Sequence, residues 1–152
     1  MRVAYAFPVR GVEALADGTY LAVGIETNLF PVPSLPAQLT VSLVLCVVAT
    51  PMEVDEELDH QLVLRVLNPD LGHSVPPFTV GLRAMASEAL PEGSESRMLL
   101  TPTVQFEATM AGFHSIEISV DDAPPVSVNL LVRVVGEDPS PDIEPGPDHL
   151  TA

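Results

Sequence analysis

Apolar and polar residues alternate with a period of two along much of this chain. The longest case sets Leu39, Val41, Leu43, Leu45 and Val47 against Gln38, Thr40 and Ser42. That period belongs to β-strands with one buried face, because successive side chains of a strand point to opposite sides. Read this way, the chain holds about eight strands, over residues 3–7, 20–26, 37–49, 61–67, 78–84, 103–108, 112–121 and 126–135. The expected inward residues include Val3, Tyr5 and Phe7 on one side of the first strand, and Leu21, Val23 and Ile25 on the second. Leu62, Leu64 and Val66 are expected inward on the fourth strand, Phe78, Val80 and Leu82 on the fifth, and Val104 and Phe106 on the sixth. The seventh turns in His114, Ile116, Ile118 and Val120, and the eighth the alternate residues from Val126 to Val134.

The spacers are rich in breakers. Pro31, Pro33 and Pro36 keep residues 30–36 from pairing as a central strand. Residues 68–72 and the pair Pro76-Pro77 part the fourth and fifth strands, and residues 121–125 close a hairpin between the last two. Residues 11–16 read as a helical turn or an irregular continuation of the first strand. Residues 85–100 read as a long loop, with or without a short helix. Short strands so separated indicate an all-β fold, here an immunoglobulin-like antiparallel β-sandwich, although the Cys…Trp…Cys pattern of antibody domains is absent. Residues 136–152 differ in kind. With Pro139, Pro141, Pro145, Pro147, five acids and no Lys or Arg, they read as a disordered acidic tail that follows a domain over residues 1–135.

Composition narrows the partners. A net charge of −15, with six basic residues that are all Arg, repels phosphate backbones and anionic lipid, so nucleic acid and membrane surfaces are not expected partners. Hydrophobic residues make up 47 % of the chain and Trp is absent, so the core is aliphatic. Cys46 is the only cysteine, which excludes an intrachain disulfide and favours a reducing compartment. No signal peptide is recognisable, and the apolar run 41–49 is too short to cross a bilayer; the cytoplasm is the expected location. The Lys-free, Ala-, Val- and Pro-rich usage suggests a GC-rich bacterial genome.

Candidate chemistry is sparse. Glu53, Asp55, Glu56, Glu57 and Asp59 crowd one inter-strand segment and could in part satisfy a hard cation such as Ca²⁺. The plainer reading is a charged loop that keeps sheet edges soluble. Asp121 and Asp122 strengthen the cation reading only if they lie at the same end of the sandwich. His60, His73, His114 and His149 are the side chains suited to general-base work near neutral pH, yet none has a second His or Cys at metal-ligand spacing. His114 reads as a core histidine. No Gly-x-Ser-x-Gly elbow and no phosphate-cradling glycine loop is present, and Cys46 has no neighbouring base to activate it. No cofactor is expected. Val63, Leu67, Phe113, Leu131 and Val135 fall on the faces assigned to solvent; if their strands are neighbours they form an apolar patch suited to self-association or a partner.

The stretch Gly18-Thr-Tyr-Leu-Ala-Val-Gly-Ile25, the segments Phe30-Pro-Val-Pro and Leu35-Pro-Ala-Gln-Leu39, and the run Gly112-Phe-His-Ser-Ile-Glu-Ile-Ser-Val-Asp121 together resemble a small family of bacterial proteins of unknown function. The resemblance covers residues 1–135 and leaves out the tail. It implies an immunoglobulin-like sandwich and transfers no activity or catalytic residue. The expected function is therefore that of a non-catalytic β-sandwich acting through protein contacts, as a homo-oligomer or an accessory subunit. The alternatives are a small-ligand or Ca²⁺ module that uses residues 53–59, and a structural protein of a phage or similar particle.

Overall fold

The computed structural model describes residues 1–16, 19–25, 28–84, 91 and 93–136. Among them the elements run β1 (Arg2–Val9), β2 (Gly11–Ala14), β3 (Tyr20–Val23), β4 (Leu29–Val32), β5 (Ala37–Ala49), α1 (Pro51–Asp55), β6 (Asp59–Leu67), β7 (Phe78–Arg83), β8 (Ser96–Leu100), β9 (Thr103–Ala108), β10 (Gly112–Val120) and β11 (Val126–Val134). The fold is all-β, as the periodicity predicts. One sheet is built on β5, with β1 along one side and, along the other, β9 against its first half and β8 against its second. The facing sheet has the order β4-β11-β10-β6-β7, antiparallel except where β4 runs parallel to β11. β2 and β3 form a separate two-stranded sheet.

The two larger sheets share one aliphatic core. Val41, Leu43, Leu45 and Val47 of β5 join Leu62, Leu64, Val66, Ile116, Ile118, Leu130 and Val132 of the facing sheet in a single buried cluster. Each such side chain, fully removed from water, is worth about 1.5–3 kcal/mol. The strand over residues 37–49, the hairpin closed by residues 121–125 and the inward set on β10 all stand where the alternation places them.

Several expectations are corrected. Residues 11–14, read as a helical turn or an irregular continuation of the first strand, are extended and form a separate strand, β2. Residues 29–32 add a strand the sequence reading did not count; in keeping with its prolines it is the outermost of its sheet, where Pro31 need not donate to a ladder on both sides. Residues 96–100 form β8 within the stretch read as a loop, while residues 85–90 lie outside the described residues. A register shift between Val3 and Tyr5 sets Val3 opposite Val47 but Tyr5 opposite Cys46. One extra residue in a strand moves everything after it to the other face. Tyr5 and Phe7 therefore leave the core side and stack outside, ring centroids 5.9 Å apart. Phe78 is exposed although it is opposite Leu64, because β7 is an edge strand with a short reach over the core. Leu21, Val23 and Ile25 are not buried either. The tail over residues 137–152 lies outside the described residues.

The helix α1 follows from local chemistry. Thr50 and Glu53 form a capping box: the Thr50 N–H donates to Glu53 Oε2 at 2.7 Å, and the Glu53 N–H donates to Thr50 Oγ1 at 3.4 Å. Pro51 occupies the first turn, where its missing N–H costs nothing.

Urea unfolding should separate core from surface along these lines. Leu43→Ala is expected to lower stability by about 2–5 kcal/mol through the cavity it leaves. Val23→Ala, at a half-exposed position, should cost less than about 1 kcal/mol.

Candidate functional site

The acidic residues expected to gather do not converge. Glu53 is taken by the capping box and by the Met1 ammonium. Asp55 ends α1, Glu56 caps it, and Glu57 takes the left-handed backbone that turns the chain into β6. Asp59 receives two hydrogen bonds from Arg83, Nε at 2.8 Å and Nη2 at 3.1 Å, across the β6–β7 ladder. That pairing holds the Asp59 carboxyl below the usual carboxylate range. Among the described residues no three His, Cys, Asp or Glu side chains come together in a way that could hold a metal ion.

Asp121 does reach the same end of the sandwich, but for a different purpose. It follows β10 with left-handed backbone (φ 49°). Its Oδ2 accepts from His60 Nδ1 at 2.7 Å and its Oδ1 accepts from the Gln61 N–H at 2.8 Å. Its own N–H donates to Gln61 O at 2.8 Å. Because a carboxylate only accepts, the proton of this pair sits on Nδ1. His60 is 7 % exposed, and its Nε2 is buried without a partner. Burial acts to raise the Asp121 pKa, but hydrogen bonds from His60 and the Gln61 N–H, with the charges of His60 and the amino terminus, outweigh it, and the carboxyl titrates below its ordinary value. The arrangement looks like the orienting half of a catalytic dyad. What this pair and the two backbone bonds do is fasten the β10–β11 turn to the start of β6. An open cavity of about 410 Å³ beside it is lined by Asp59, His60, Gln61, Gly81, Leu82 and Arg83.

The other titratable candidates are scattered. His114 is fully buried on the core face, its ring 5.8 Å from that of Phe106 and its Nδ1 donating to Gly112 O at 3.3 Å. His73 lies in an exposed loop bridged to Leu67, and His149 falls outside the described residues. Cys46 is buried beside Tyr5; burial, and then the Cys46 thiol, push the Tyr5 phenol up. An uncharged cleft of about 240 Å³ opens between the sheets where β7 and β9 leave the core uncovered, lined by Leu64, Val66, Phe78 and Val104 among others.

The apolar residues on the solvent face do come together in part. Phe113 is directly opposite Leu131 on β11, and Leu131 is directly opposite Leu29 on β4. The three make a row across three strands on the outer face of the five-stranded sheet, with Phe113 67 % exposed. Leu67, opposite Ser115, is the diagonal neighbour of Phe113, whereas Val135, just past β11 with its N–H on Val32 O, is parted from Leu131 by Arg133. Val63 is left out: it sits at the far end of β6, opposite Ser119 and Thr79, beyond the polar Arg65–Glu117 pair. Sequence reasoning omitted Leu29, because the prolines hid its strand. It also missed the capping box, although Thr50-Pro-Met-Glu53 spells it.

The profile of a family of unknown function (DUF6941) matches residues 11–133, and the chain belongs to that family. No curated protein matches the chain. Among the described residues no helix is long and apolar enough to cross a membrane.

The His60–Asp121 fastening has a pH signature. The lowered Asp121 pKa contributes stability that is present above the unfolded-state carboxylate pKa, about 3.9, and is lost as pH falls through the folded value. Urea midpoints measured from neutral pH downward should therefore fall below about pH 4, and the Asp121→Asn variant should start lower and fall less over that window.

Proposed function

Taking the chain as a member of DUF6941, we propose that it is a non-catalytic β-sandwich that works by protein contact. Its contact site is the corner of the outer face formed by Leu29, Leu131 and Phe113, flanked by Leu67. The observation that carries this reading is the unbroken apolar row across β4, β11 and β10. On a chain of net charge −15, an exposed aromatic seated among aliphatic neighbours and rimmed by polar residues has the anatomy of an interface centre. The middle of that face is polar, with Arg65 opposite Glu117 and Glu117 opposite Ser127.

A non-catalytic role is supported by the fate of the histidines: the two with carboxylate or backbone partners keep Nε2 enclosed. An immunoglobulin-like identity for the sandwich is supported by strand order. β1-β5-β8/β9 matches A-B-E, β7-β6-β10-β11 matches C′-C-F-G, and β4 runs beside the last of these. The single buried thiol of Cys46 fits a reducing compartment such as the cytoplasm.

Site-specific photo-crosslinking in the native host tests the contact. With Phe113→p-benzoylphenylalanine, ultraviolet light should give a discrete protein adduct. The same probe at Ser127, among the polar rows of that face, should give none. An absence of adducts from position 113, or equal adducts from both positions, overturns the reading.

A further inference from the structure

The cleft between β7 and β9 is held open by its own lips. Its volume is about 240 Å³, with Leu64 and Val66 as the floor and Val75, Phe78 and Val104 around it. Val75 and Val104 are packed against the core cluster, while Phe78 is 60 % exposed. Apolar walls gain by contact, so such a gap ordinarily collapses. Here each side is pinned. Residues 68–74 are tied to themselves and to β6: the Asn68 N–H donates to Gly72 O at 2.8 Å, the Ser74 N–H donates to Val66 O at 3.0 Å, and the Ser74 hydroxyl donates to Asn68 Oδ1. Pro76 follows with its backbone stiffened by the ring. On the other side Pro102 is anchored to β5, its O accepting from the Leu43 N–H at 2.9 Å. Small-molecule sites are usually pre-formed in this way.

We propose that this cleft binds a small uncharged amphiphile, an aliphatic chain of roughly eight carbons ending in a hydroxyl. The site is separate from the corner around Phe113 and does not depend on the contact function. Volume sets the length of the chain. A dry apolar cavity of about 150 Å³ holds benzene, with its six non-hydrogen atoms, so this cleft takes roughly nine or ten. Charge sets its chemistry. Among the described residues that line the cleft there is no Asp, Glu, Arg or His, in a chain of net charge −15. A carboxylate placed there meets no cation and a repelling field.

The edge of β9 supplies the polar end. The bond from Leu43 to Pro102 and the pairing of Val41 with Val104 turn the even-numbered residues of β9 toward β5. Thr103 and Gln105, which line the cleft, therefore direct their backbone N–H and C=O to the open side. A hydroxyl both donates and accepts, and so matches that edge, whereas a carboxylate only accepts. An added peptide strand is the competing occupant, and the prolines disfavour it. Pro76 and Pro102 line the cleft, and Pro77 stands between Pro76 and Phe78. None of the three has the N–H that a ladder needs.

Methyl and amide NMR of the full chain, with 1-octanol added to about 2 mM, tests this. Saturable shifts are expected at the methyl groups of Leu64, Val66, Val75 and Val104 and at the amide protons of Thr103 and Gln105, with a midpoint below about 1 mM. Sodium octanoate, the same chain with a carboxylate, should bind at least about tenfold more weakly. Val75→Trp fills the cleft, and Phe78→Ser strips an exposed wall while leaving the core in place; each should weaken 1-octanol binding at least about fivefold. Phe113→Ser should leave it unchanged. Shifts that never saturate, octanoate bound as tightly as 1-octanol, binding that survives both cleft variants, or binding lost with Phe113→Ser overturns the assignment.

Discussion

Everything in this molecule hangs on the face of β5 that carries Leu39, Val41, Leu43, Leu45 and Val47. These five are packed against both the β6–β10–β11 centre of the opposite sheet and the edge strands of their own. β5 spans the full height of the sandwich, so it provides the template for β1 on one side and for β8 and β9 end to end on the other. Aliphatic side chains do most of this, with Phe106 lying against His114 in the core and Phe30 packed at its margin. Close packing of branched residues on two pleated surfaces supplies most of the stabilisation, and polar interactions set the ends.

Those ends are held by short-range chemistry. At one end the chain leaves β5 through the Thr50–Glu53 capping box and re-enters the opposite sheet at β6. There Asp59 is held by Arg83, and His60 by Asp121. The acidic segment over residues 53–59 is thus a crossover in which Glu53 and Asp59 serve the fold, each tied to a different partner. Such an assignment explains why charge density in sequence did not become charge convergence in space: a helix turn and a strand start spread the side chains in different directions.

Exposed apolar side chains include the corner around Phe113 and the β2–β3 hairpin, with Met52, Leu71 and Phe78 elsewhere. The corner and the hairpin both include strands at the margin of their sheets or on a sheet of two strands, where the backbone offers unpaired groups beside uncovered side chains. Membership of DUF6941 assigns no activity to these surfaces.

The sequence alone determined the all-β class, the bounds of β5 at residues 37–49, the inward faces of β6, β10 and β11, and the hairpin closed at residues 121–125, because each depends on a local period or a local turn. It left undecided whatever depends on a neighbour distant along the chain. The two-residue period says that a strand has one apolar face and not what covers it: Leu43 and Leu21 sit in equivalent patterns, and one is fully buried while the other stands half in water. The bulge that turns Tyr5 and Phe7 outward inserts a residue without a mark in the alternation. Leu29 became part of the contact corner only because β11 is there to pair it. His60 and Asp121 meet across 61 positions, a distance over which only the closed sandwich, and no local rule of residue spacing, can bring two side chains together.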